Sequence, residues 1–206
     1  MVFNMYVVID CGHSKKTAGK RSPDGKFLEY KQNRILGELI GEKLTELGIE
    51  WCFTYDTTIE DDLGLSKRAA VANEKCKIYG AKNVLLISLH YNAFGDGLTF
   101  NNTKGFSIWT TKGVTTSDKY AEVFFKTAEE ILLPMGRKVK KDISDGDGDY
   151  EQNFTVIYKT ICPSVLFEFG FYTNVEEMEW LMSDEGLNTC ANIVIEGIKK
   201  IKMGRF

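Results

Sequence analysis

Histidine is scarce in this sequence: 206 residues contain only His13 and His90. Any chemistry that needs an imidazole must use one or both of them. A basic excess is missing too, with Lys+Arg 26 against Asp+Glu 29 and a net charge of −3. That balance excludes a general binder of nucleic acid or anionic membranes, which needs clustered positive charge. Five cysteines (Cys11, Cys52, Cys76, Cys162 and Cys190) are widely spaced and form no C-x-x-C pair. A disulfide framework is therefore not expected, and free thiols in a reducing compartment are. No apolar run approaches the roughly 18–20 residues of a membrane span. The first ten residues, MVFNMYVVID, lack the charged start, long apolar stretch and small-residue cleavage site of a secretory signal. Repeats and low-complexity linkers are absent as well.

What is present fits one globular unit. At roughly 100–200 residues per domain, the length favours a single domain over residues 1–206. A chain of this size buries about 70% of its unfolded surface, so a full core is available. Apolar runs alternate with helical spacing. Met5–Asp10, Ile49–Thr54, Val84–Leu89 and Ser164–Phe169 read as buried strands, and Gly105–Thr110 as a strand with one face less buried. Phe154–Tyr158 reads as a further strand, after an acidic, glycine-rich loop over Asp142–Asn153. Helical spacing covers Tyr30–Leu47, Leu65–Tyr79, Ser117–Leu132 with Ser117 as cap, and about Glu185–Ile201. Asn174 is expected to cap a short helix over Val175–Met182. Strands alternating with helices predict an α/β fold: a twisted, mainly parallel sheet of about six strands with helices on both faces. Sites in such sheets lie outside the carboxyl ends of the strands.

Both histidines fall at that rim, His13 three residues after Asp10 and His90 at the end of Val84–Leu89. Two imidazoles and one carboxylate make a catalytic zinc site with a position left for water. Glu29 is the candidate carboxylate, because it opens the first helix on the same rim. Glu168 stands alone inside Val165-Leu166-Phe167-Glu168-Phe169, where a buried acid is costly unless a cation or a proton satisfies it. Beside a metal it can act as general base toward water. Each residue also has a plain reading: a hydrogen-bonded histidine, a first-turn glutamate favoured by the helix dipole, a glutamate paired with lysine. On spacing alone, both readings stand.

The motifs go further. VVIDCGHS, the helix-opening glutamate, LSKRAAVAN, SLHYNA and PSVLFEFGFYTN follow one another along essentially the whole chain. This order resembles the zinc-dependent N-acetylmuramoyl-L-alanine amidases of the type 3 family, which cleave bacterial peptidoglycan with a phosphorylase/hydrolase-like fold. The family's IDPGHGG loop is matched by Ile9–Ser14, which places its first zinc ligand at His13. Its helix-opening glutamate ligand falls on Glu29, and its S-[IL]-H-x-N-A motif puts the third ligand at His90. The motif VE-x-GF-x-[ST]-N matches Phe167–Asn174 and puts the catalytic glutamate at Glu168. The resemblance thus implies one Zn2+ per chain, a peptidoglycan (muropeptide) substrate and a monomeric enzyme without membrane insertion. Asn92 is a candidate for orienting substrate or the His90 loop, or else a turn residue bonding its own backbone. Arg68 reads as structural. Cys11 and Ser14 replace the family's proline and glycine beside His13, and Cys11 sits close enough in sequence to compete for the metal.

Two other readings remain at this point: a zinc carboxypeptidase-like peptidase acting on wall peptides, and a cysteine hydrolase using Cys11 or Cys162. A signal-free catalytic unit resembles a phage or prophage endolysin, while a secreted enzyme with its signal removed fits equally. Asp145-Gly-Asp147-Gly-Asp149 looks like a calcium loop, but Tyr150 stands where that loop needs glycine and Val156 where it needs glutamate. It reads as a solvated acidic loop, and Arg137–Lys141 as a solvated charge run.

Overall fold

Six consecutive buried residues, Tyr6–Cys11, form strand β1 in the computed structural model, which describes residues 5–144 and 146–204. Without polar alternation, such a run has to be covered on both faces, as a central parallel strand is. β1 lies between β2 (Trp51–Phe53) and β3 (Val84–Asn92), parallel to both. Parallel to β3 runs β6 (Ser164–Phe171). Next comes β4 (Ser107–Thr110), antiparallel to β6, and at the edge β5 (Tyr150–Glu151). The order β2-β1-β3-β6-β4-β5 is the mainly parallel six-stranded sheet the sequence predicts.

Helices cover both faces. α1 (Glu29–Glu46), α3 (Thr116–Leu132) and α6 (Asp184–Lys202) bury Leu36, Ile40, Phe124, Val194 and Ile198 against one side. α2 (Leu65–Tyr79) and α4 (Thr155–Tyr158) bury Ala72, Cys76, Val156 and Ile157 against the other. Asn174 caps α5 (Val175–Leu181) as expected, its Oδ1 accepting from the Glu177 N–H at 3.1 Å.

Three local expectations are corrected. Phe154–Tyr158 is not a strand, because Thr155–Tyr158 makes one helical turn. A five-residue apolar run does not define its own period, and here Val156 and Ile157 both enter the core beside α2, which a strand's alternation forbids. The cap of α3 is Thr115, not Ser117: Thr115 and Asp118 form a capping box, while Ser117 lies inside the helix and accepts from the Ser164 N–H. The Arg137–Lys141 run is only partly solvated. The Phe106 N–H donates to the Lys138 carbonyl, the Lys140 N–H donates to the Phe106 carbonyl, and Arg137 stacks on the Trp180 ring.

Candidate metal centre

The chain leaves β1 through Gly12 and His13. His13 is the one described non-glycine residue with positive φ, at 63°. Such a conformation costs energy and persists only where the surroundings enforce it. Here they do. The Tyr55 hydroxyl donates to the carbonyls of Cys11 (2.8 Å) and His13 (3.1 Å), Arg68 Nη1 donates to the Cys11 carbonyl (3.0 Å), and Asn33 Nδ2 donates to the Gly12 carbonyl (2.9 Å). Arg68 is itself fully buried, held between Asp10, Asp62 and the Tyr55 ring. Its structural assignment is thereby explained. Gly12 is needed for clearance: a Cβ there would lie 2.2 Å from His90 Cε1.

These constraints bring three predicted residues together. Glu29 opens α1, and its N–H donates to the Lys20 carbonyl at 3.0 Å. Its Oε1 lies 3.3 Å from His13 Nε2 and 3.2 Å from His90 Nδ1, and accepts from the Tyr91 N–H at 3.1 Å. The two imidazoles stand nearly perpendicular, with ring centroids 4.9 Å apart. One ligand atom from each of His13, Glu29 and His90 lies within 4.8 Å of the others. Glu168 is the register partner of His90 on β6, so both side chains leave the sheet on the same face.

The charges are arranged unequally. Burial works to raise Glu29, but hydrogen bonds and charges from the two imidazoles outweigh it and hold the carboxyl at about 2. Burial, reinforced by the Glu29 charge, pushes Glu168 up to about 8 against the pull of His90 and Lys20. Burial lowers His13, whereas at His90 the Glu29 hydrogen bond and charge outweigh burial and raise it. Glu29 Oε2 and Glu168 Oε2 are both shielded from solvent without a hydrogen-bond partner. Unpartnered buried carboxylate oxygens are expensive. Two imidazoles with a fixed carboxylate are a donor set suited to zinc, and a dication here would balance the buried Glu29 charge and draw Glu168 down.

The cluster lies in a cleft of about 610 Å³. Its walls include Gly95–Gly97 from the loop after β3, together with Phe154 and Thr155. Asn92 lines the cleft too, although its Oδ1 accepts from the Ala93 N–H at 2.8 Å, the local turn bond that its plain reading anticipated. Lys20 was missed from the sequence; it is the only lysine or arginine lining the cleft among the described residues. Its only signal was its place in the loop between His13 and Glu29. Neither Cys11 nor Cys162 lines the cleft. Cys11 Sγ packs against Gly37 of α1, and burial pushes both thiols up, away from the reactive thiolate. Cys11 therefore faces away from the cluster, and a cysteine mechanism has no geometric basis.

A sheet rim that gathers two imidazoles, a fixed carboxylate and a second, buried carboxyl defines a hydrolytic enzyme of the α/β class. The chain belongs to the N-acetylmuramoyl-L-alanine amidase family, whose sequence profile matches residues 7–200. Its activity is accordingly that of a peptidoglycan amidase. Its fold is similar to that of an N-acetylmuramoyl-L-alanine amidase from Clostridium difficile 630, with TM-score 0.82 and 22% identity over 99% of this chain and 100% of that one. The catalytic domain of CwlV from Bacillus (Paenibacillus) polymyxa var. colistinus gives TM-score 0.76 and 24% identity over 96% and 97%. AmiC2 of Nostoc punctiforme gives 0.77 and 24% over 97% and 98%. No curated protein sequence matches significantly.

Proposed function

We propose that this amidase cleaves the bond between the lactyl group of N-acetylmuramic acid and L-alanine as a monomeric single-domain catalyst. In this proposal one zinc ion is held by His13, Glu29 and His90, and Glu168 is the general base. The observation that carries the proposal is the convergence of three ligand atoms within 4.8 Å, next to a carboxyl paired in register with His90. Bound there, zinc supplies Lewis acidity, polarising the scissile carbonyl and bringing the ionisation of water down to roughly pH 7.

The rest is done by the chain. Glu29 keeps its negative charge at any physiological pH, because its carboxyl rests at about 2. The Tyr91 N–H and the paired strands β1 and β3 hold that charge and the two imidazoles in register. Glu168 takes one proton from the attacking water as its oxygen bonds to the carbonyl carbon. It then delivers that proton to the alanine nitrogen as the C–N bond breaks, leaving a carboxylate on the lactyl side and a free amine on the peptide. A base that must also act as acid works best with a pKa near the working pH, and the burial that lifts Glu168 acts in that direction. Asn92, on the cleft wall, orients the substrate.

The test is metal content together with product identity on purified peptidoglycan. One zinc per chain, activity lost to a chelator and restored by zinc, and new L-alanine amino termini without new reducing sugar ends are expected. Cleavage inside the stem peptide, or undiminished activity without metal, would overturn the proposal.

A further inference from the structure

A second group of acids lies at the other end of the sheet. β4 runs antiparallel to β6, with Ser107 opposite Glu168 and Trp109 opposite Leu166, so Thr110 lies at the rim away from His90. There two residues of the glycine-rich loop, Gly148 and Asp149, are buried rather than solvated. Asp149 is 99% buried (relative exposure 1%), and Gly148 sits so close to the Phe125 ring that an added Cβ would lie 2.8 Å from it. The Thr110 hydroxyl donates to Asp149 Oδ2 at 2.6 Å, which orients the carboxylate. Among the described residues the other oxygen, Oδ1, is shut off from solvent with no donor other than a proton shared with Asp147, and Asp147 Oδ1 is shielded and without a donor as well. Asp145, the first acid of the motif, lies outside the described residues.

Two neighbouring acceptor-only groups need something positive between them. No lysine or arginine fills the role for Asp147 or Asp149 among the ion pairs of the described residues. Asp118, Glu122 and Glu151 line the adjoining surface depression; among the described residues Lys119 is its one basic lining side chain, and Lys126 pairs with Glu122 Oε1 at 3.0 Å, so acids outnumber bases there. Glu122 Oε2 is a third shielded carboxylate oxygen without a partner.

We propose that Asp147 and Asp149, oriented by Thr110, bind a hard divalent cation, calcium or magnesium, at a site separate from the zinc cluster. No third histidine, cysteine or acid joins the pair tightly enough for an all-protein cage among the described residues. Cations that keep several waters are the ones that two carboxylates suffice to hold. The site would fasten the loop to β4 just ahead of β5, from which the chain continues to Asn153 and Phe154 on the cleft wall. In the absence of a cation, burial, together with the Asp147 carboxyl, pushes Asp149 up to about 8 despite the Thr110 hydrogen bond. A shared proton is therefore the competing occupant.

Terbium separates the two. Trp109 and Tyr150 stack with centroids 4.7 Å apart and are chain neighbours of Thr110 and Asp149. Terbium bound at the site is thus sensitised by exciting these rings. Zinc-loaded protein titrated with Tb3+ is expected to luminesce at one site per chain, and Ca2+ or Mg2+ is expected to displace the ion, whichever competes better being the natural occupant class. That same cation should raise Tm by about 5–10 °C at a hundredfold excess over its Kd. Asp147→Asn and, independently, Asp149→Asn should abolish both effects while zinc content stays at one per chain. The proposal is overturned if neither Ca2+ nor Mg2+ displaces Tb3+ or moves Tm. It is overturned equally if the signal survives in Asp147→Asn, or if that variant alone is more stable than the parent with both cations present.

Discussion

Replacing Gly12 with alanine tests how closely the loop after β1 and the His90 ring are fitted. The added Cβ would sit 2.2 Å from Cε1 and 2.5 Å from both ring nitrogens of His90. Carbon contacts become favourable at about 3.5 Å, so the ring or the loop must retreat by more than 1 Å. The loop is fixed by hydrogen bonds from Asn33, Tyr55 and Arg68, and His90 by its place in β3 between two paired strands. The ring therefore yields, and its Nδ1 leaves the position 3.2 Å from Glu29 Oε1. Overpacking of this kind costs about 1–3 kcal/mol, or roughly 5 °C in Tm for a chain of this size. Displacing a metal ligand by that much should weaken zinc by about 10–100-fold, the range found when a ligand's supporting contacts are lost. Competition against a chromophoric chelator measures the affinity, and thermal unfolding of the metal-free protein measures the packing cost. Zinc affinity within roughly twofold of the parent, a difference of only ~0.4 kcal/mol, would refute the reasoning.

Arg68→Met should be more damaging to the fold than to any single contact. Among the described residues it leaves fully buried Asp10 with the hydroxyls of Thr54 and Ser88 as its side-chain donors, at 2.7 and 2.8 Å. Breaking a buried pair on one side costs about 3–5 kcal/mol, so Tm should fall by roughly 10 °C, and a fall under about 2 °C would contradict the buried network. Metal-free protein should lose stability with rising pH, because Glu168 moves from an ordinary 4.5 to about 8 on folding. A raised carboxyl contributes fully below the ordinary value, and that contribution is lost as pH climbs through the folded one. Glu168→Gln should remove this part of the slope between those limits, and identical slopes for the two proteins would refute the burial argument. Iodoacetamide should leave activity intact while a chelator abolishes it, since Cys11 and Cys162 are buried with raised thiols. Inactivation that tracks modification of Cys11 would contradict this.

The central strands were legible because a run such as Val84–Leu89 can only be buried on both faces, and the meeting of His13, Glu29, His90 and Glu168 because the loop after β1, the start of α1 and the carboxyl-terminal halves of β3 and β6 share one rim. What the sequence hid depends on contacts distant along the chain. Gly12 reads as an ordinary loop glycine until His90, 78 positions on, is found against it. Tyr55 carries no local signal for its bonds to the Cys11 and His13 carbonyls. Phe154–Tyr158 has strand-like residues, but a helical turn lets Val156 and Ile157 both reach the core beside α2, which a strand would not. Asp149 looks solvated from its acidic, glycine-rich neighbours, and its burial arises from Phe125 and Thr110. Local patterning fixes which elements form, while clearance and pinning are settled only in three dimensions.

The most direct test of the account is product-resolved turnover of Glu168→Gln on purified peptidoglycan, with zinc counted in the same sample. The variant keeps the shape of the side chain and leaves His13, Glu29 and His90 in place. The account predicts one zinc per chain and release of L-alanine amino termini reduced by at least about 100-fold, the usual contribution of a positioned general base. Near-parental release from the zinc-loaded variant would contradict it.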